Sequence, residues 1–137
     1  MYKILVVSHS TLCKGFKEAA EMILGAKASM ECLSLDEEGI DVFHERLKEK
    51  IVILKDKDNE VLIFADLFGG SPFNRSLIEA SQDKNVRLIA GVNLSMIIEA
   101  IMNETSKLDK VIFQIVESGK DSIKEGLILK NNNLDDE

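Results

Sequence analysis

Ile63-Phe64-Ala65-Asp66-Leu67-Phe68-Gly69-Gly70-Ser71-Pro72-Phe73-Asn74 is the stretch that decides the fold. Val61 to Ala65 is an uninterrupted apolar run, the pattern of a strand buried on both faces. It ends at an acid, turns through two glycines and restarts at Ser71-Pro72. Serine suits the N-cap of a helix, and proline loses nothing at the first helical position because the N–H it lacks has no helical partner there. A strand feeding a helix in this way is the first half of a βαβ unit.

The same pattern extends in both directions. Residues 3–8 form a first strand that runs out at His9, and Leu12, Phe16, Ala19, Ala20, Ile23 and Leu24 recur at helical spacing until Gly25 stops them. Residues 30–35 predict a second strand, and Ile40, Phe43, Leu47, Ile51 and Leu54 form the apolar stripe of a second helix. Downstream of the third helix, 86–90 predicts strand four, 96–102 a short helix and 108–122 a fifth helix. Gly126 to Lys130 reads as a terminal strand, and 131–137 is a polar tail expected to be disordered.

Strands alternating with helices predict an α/β, flavodoxin-like, doubly wound sheet of parallel strands in the order 2-1-3-4, forming a single domain over residues 1–130. That order places the topological switch point between strands one and three, and such sheets bind their ligands outside the carboxyl ends at that crevice. His9, Asp66 and Ser71 are therefore expected to converge.

Composition narrows the function. A chain of 137 residues is long enough to bury about 65–70% of its unfolded surface without staples. A net charge of −7, with 17 basic residues dispersed among 24 acids, argues against a nucleic-acid partner. Every apolar run is shorter than the roughly 20 residues of a membrane span and the N-terminus opens as a strand, so a cytoplasmic protein is expected. Cys13 and Cys32 have neither CxxC spacing nor an arginine six residues on, which removes a zinc site and a cysteine-phosphatase loop and leaves two buried thiols.

His9 is the chemical candidate. Imidazole, with an ordinary pKa near 6.5, is available in its neutral form to accept a phosphoryl group without a metal or cofactor. A carboxylate on the far ring nitrogen would fix the tautomer and stabilise the cation as the bond forms, and Asp66 is the acid at the neighbouring strand end. Phosphate oxygens need donors. The N-termini of helices one and three can supply backbone N–H groups, Ser10, Thr11 and Ser71 add hydroxyls, and Gly69 and Gly70 permit close approach. His44, beside Glu45 and Arg46, reads as a solvated side chain. Phe68 is a packing residue or a partner contact. Asp66 as a mere turn cap, and a domain that only binds, stay open at this level. A receiver-like module with Asp66 as the acceptor lacks the acidic pair after strand one that would hold Mg²⁺, a place taken here by Ser8, His9 and Ser10.

Taken together, the strand ending in His9, the segment Asp66 to Asn74 and the segment Ile89-Ala90-Gly91-Val92-Asn93-Leu94-Ser95-Met96 resemble the IIA domain of the mannose family of the bacterial sugar phosphotransferase system. The resemblance implies that His9 takes a phosphoryl group from the carrier HPr at Nε2, with Asp66 orienting Nδ1, and passes it to a histidine of the IIB (EIIB) component. Through IIB the chain would act on the membrane permease components only indirectly. The resemblance also implies a homodimer in which the C-terminal strand crosses to the partner's sheet. One departure is Ser10, where the mannose-type pattern often has glycine. Ser8-His9-Ser10 is similar as well to the phosphotransfer subunit of dihydroxyacetone kinase, which stands as the second reading.

Overall fold

The structure, a computed structural model, describes residues 1–25 and 28–127. Its elements are β1 (Tyr2–His9), α1 (Leu12–Leu24), β2 (Glu31–Leu35), α2 (Ile40–Leu54), β3 (Glu60–Ala65), α3 (Ser71–Ser81), β4 (Val86–Ala90), α4 (Leu94–Met102) and α5 (Leu108–Asp121), with a short 3-10 turn at Asp56–Asp58. All pairings are parallel and the order is β2-β1-β3-β4, as the alternation of the sequence predicts.

Successive side chains of a strand point to opposite faces, and here each face has its own core. Ile4, Val6, Leu62 and Phe64 pack beneath α1, α4 and α5 with Ala20, Ile97, Ala100, Leu108 and Ile115. Leu5, Val7, Ile63 and Ala65 pack on the other side against Phe43, Leu47 and Ile51 of α2. Because β1 and β3 lie in the middle and are covered on both faces, their sequences are apolar without alternation. The β1–β3 ladder closes at Val7 and Ala65, with the Asp66 N–H still donating to the Val7 carbonyl at 3.2 Å. This register delivers His9 and Asp66 to the same edge of the sheet.

Several boundaries differ from the sequence reading. Ser71 is not an N-cap: Gly70 holds that position and Ser71 is the first helical residue, with no side-chain cap bond. Gly70 takes the extended conformation of an N-cap, with φ −75° and ψ 169°, and has no side chain to place against His9. Helix α4 begins at Leu94, since the Asn93 side chain caps it by accepting from the Met96 N–H at 3.1 Å. Gly126 and Leu127 carry no strand, while the rest of the expected 126–130 strand and the 131–137 tail lie outside the described residues. No helix among the described residues is long and apolar enough to cross a membrane.

Candidate functional site

His9 leaves β1 at the crevice between β1 and β3. Its ring Nδ1 lies 2.9 Å from Asp66 Oδ2, and the same oxygen accepts the His9 backbone N–H at 2.9 Å. One carboxylate oxygen thus fixes both the main chain and the ring. With Asp66 ionised, Nδ1 carries the proton and donates, so the lone pair is left on Nε2. The His9 side chain is 48% exposed, whereas that of Asp66 is 8% exposed.

The other carboxylate oxygen, Asp66 Oδ1, is buried and has no hydrogen-bond partner among the described residues. An unpaired buried acceptor costs about 1–3 kcal/mol, so stability alone does not explain an aspartate here. What the aspartate does supply is a carboxylate against the imidazole, 2.9 Å from Nδ1.

The glycine loop shapes the space in front of the ring. A Cβ on Gly70 would stand 2.9 Å from His9 Cε1 and 3.5 Å from Nε2, so only glycine lets the loop approach the imidazole this closely. Gly69 has a φ of 83°, in the region that disfavours a side chain. Asn74 holds the loop from within α3, its side-chain amide donating to the Gly69 carbonyl at 3.1 Å and its N–H to the Gly70 carbonyl at 2.8 Å. Ser71 lies at the head of α3, in the first turn whose N–H groups have no intrahelical acceptor; with Pro72 lacking one, Ser71 and Phe73 provide them.

At the head of α1, the Cys13 N–H is bound to the Ser8 hydroxyl at 2.8 Å, while Ser10 and Thr11 are exposed beside His9. The Ser10 N–H is committed to the Leu35 carbonyl at 2.8 Å, so Ser10 has its hydroxyl, and not its amide, to offer an anion. Phe68 is 77% exposed, with its ring 4.8 Å from that of Phe73, and Leu12 and Leu67 are exposed as well.

His44 is not the solvated residue expected from its polar neighbours. It bridges α2 and α3, with Nε2 2.8 Å from Glu79 and Nδ1 2.9 Å from the Arg75 guanidinium, and its side chain is largely buried. Arginine can only donate, so Nδ1 accepts and the proton lies on Nε2, facing Glu79. Of the two thiols, Cys13 is buried and Cys32 only half-buried; burial and the neighbouring Cys13 push the Cys32 thiol up. Sequence reasoning missed Ser8, which is fully buried and bonded on both sides, because a serine ending an apolar strand carries no recognisable pattern.

Against known proteins, the family model described as the PTS system fructose IIA component matches residues 3–116. The chain belongs to this IIA family. It is 32% identical over 130 residues to the sorbose-specific EIIA component of Lacticaseibacillus casei, covering 90% of this chain and 91% of that one. It is 27% identical over 124 residues to the mannose-specific EIIAB component of Escherichia coli K12, covering 88% of this chain but only 38% of that protein. Among solved structures, the mannose/sorbose specific IIA subunit from Enterococcus faecalis superposes with a TM-score of 0.84 at 25% identity, over 94% of this IIA chain and 97% of that one. The IIA protein associated with the fucose utilization operon of Streptococcus pneumoniae gives 0.82 at 30% identity, over 90% and 92%. This IIA chain is thus a component of the sugar phosphotransferase system, and its described residues form a four-stranded parallel sheet.

Proposed function

We propose that this IIA component is a phosphoryl carrier that accepts the group on His9 Nε2 from phosphorylated HPr and delivers it to the IIB component for sugar uptake. The observation that carries the reading is the single Asp66 oxygen bound to both His9 N and Nδ1, which engages one ring nitrogen and leaves Nε2 as the one to attack. The Nε2 lone pair forms a bond to phosphorus as the donor's N–P bond breaks. The ring becomes cationic, and the proton stays on Nδ1 beside Asp66. Backbone N–H groups at the heads of α1 and α3, with the hydroxyls of Ser10, Thr11 and Ser71, receive the phosphoryl oxygens, and Gly70 keeps the approach open. Neither metal nor cofactor takes part. His44 cannot compete, because both its ring nitrogens are bonded.

Leu12, Leu67 and Phe68, exposed around His9, give HPr and IIB an apolar surface to cover in turn. The working form is a cytoplasmic homodimer in which residues 126–130 cross to the partner's sheet, and residues 1–130 make up the IIA domain. The test is labelling with phosphorylated HPr. One group per chain should be added, stable to alkali and lost in mild acid, and His9→Ala should abolish it. Labelling that survives in His9→Ala sinks the assignment, and an alkali-labile product would move it to Asp66.

A further inference from the structure

Ser10, the residue after His9, holds a φ of 52°, a left-handed conformation that is uncommon for residues other than glycine. Such strain persists only where the surroundings over-determine it. Two bonds do so here: the Ser10 N–H donates to the Leu35 carbonyl at 2.8 Å, and the Ser10 carbonyl accepts the Ser8 hydroxyl at 3.1 Å. The same Ser8 oxygen accepts the Cys13 N–H at 2.8 Å. Thr11, which occupies the N-cap position of α1, makes no side-chain cap bond, so Ser8 performs that task from the end of the strand. Ser8 is fully buried, and its hydroxyl is satisfied in both directions.

We propose that Ser8 is a positioning residue for phosphoryl transfer, its hydroxyl clamping the His9–Ser10 turn to the first turn of α1. Through that clamp it sets the distance from His9 Nε2 to the α1 N–H groups and keeps the ring against Asp66. The inference rests on the reading of His9 as the acceptor. It explains how serine is accommodated at position 10, since a clamp on the Ser10 carbonyl does for serine what conformational freedom would do for glycine.

Full-length wild type, Ser8→Ala, Ser8→Thr and the double variant Ser8→Ala/Ser10→Gly test it. Transfer from phosphorylated HPr is followed at varied HPr, and the His9 ring nitrogens are observed by NMR in the unphosphorylated protein. Ser8→Ala should lower kcat about tenfold, on the scale where a 1 Å misplacement costs about 100-fold. KM should hold, and the His9 spectrum should pass from one tautomer to an exchanging mixture. Ser8→Thr should restore both readouts, and Ser10→Gly should recover part of the loss by removing the strain. A Ser8→Ala protein that is less stable but keeps the wild-type kcat and His9 spectrum would show a helix cap and nothing more. If Ser8→Ala does not fold, Ser8→Thr is compared with Ser8→Val, which has the same size without the hydroxyl, and equal behaviour overturns the proposal. Should wild type take its label elsewhere than His9, the functional reading fails, while the ring spectra still decide whether Ser8 orients His9.

Discussion

At the site, geometry separates residues that hold the fold from residues that hold the reaction. Asp66→Asn can keep an oxygen for both His9 bonds but loses the charge that stabilises a cationic ring; transfer should slow by roughly 10²-fold, the scale of a few kcal/mol for a preorganised electrostatic partner. Folding should be spared, because among the described residues Oδ1 already has no hydrogen-bond partner to lose. Stopped-flow transfer beside urea unfolding checks this, and equal transfer rates would reduce Asp66 to a turn cap. Gly70→Ala pushes a methyl toward His9 Cε1 and should slow transfer about tenfold by moving the ring a fraction of an ångström. His44→Ala should label normally yet unfold about 1–3 kcal/mol more easily, since Glu79 loses its imidazole partner and Arg75 is left with Asp41 alone. The pairing of His9 with Asp66 was legible because strand ends and strand order are properties of the sequence pattern. The His44 partners were not, because Glu79 and Arg75 meet it only once α2 and α3 pack on the same face of the sheet.

The elements were read best where burial dictates composition. Both central strands and the stripe of α2 came through with their bounds nearly unchanged, because covering a sheet on two faces leaves no room for polar residues. Helix starts were read less well. Ser71-Pro72 looks like a cap followed by a first turn, yet the backbone begins its helix at Ser71. The Asn93 cap goes unread in the sequence although asparagine is a strong cap residue and β4 ends at Ala90 as expected, because the apolar run from Met96 sets the helix start three residues further on. That asparagine also donates to the Gly119 carbonyl at 3.1 Å, and a Cβ at Gly119 would fall 2.4 Å from Met96 Cγ. Asn93 therefore ties α4 to α5 where Gly119 lets Met96 pack closely against the helix. Asn93→Ala should cost about 1–2 kcal/mol in unfolding experiments, at the upper end for a cap because an interhelical bond goes with it.

For the molecule as a whole, Tyr2 is a built-in reporter. It is the single tyrosine of a chain without tryptophan, buried under α4, and its hydroxyl donates to the Ala100 carbonyl at 2.6 Å. Burial first, then Glu104 and Glu99, push its hydroxyl from 10.0 up to about 12. Folding thus favours the protonated form, so this contribution to stability is complete below pH 10 and fades as pH rises toward 12. Near-ultraviolet absorbance should show tyrosinate appearing later in native protein than in urea, and coincident titrations would contradict the buried hydroxyl. Light scattering should find a dimer at micromolar concentration and a monomer or aggregate after truncation at Ser122; a monomeric intact chain would remove the strand exchange and leave the His9 chemistry in place. The half-exposure of His9 has one more consequence. A carrier that must be read by two proteins in succession cannot roof over its cargo, so on the proposed reading the charged form lies open to water as well as to IIB. Spontaneous hydrolysis then sets a lifetime within which the second encounter must happen, and the cell loses phosphoryl groups in proportion to how long IIB stays scarce.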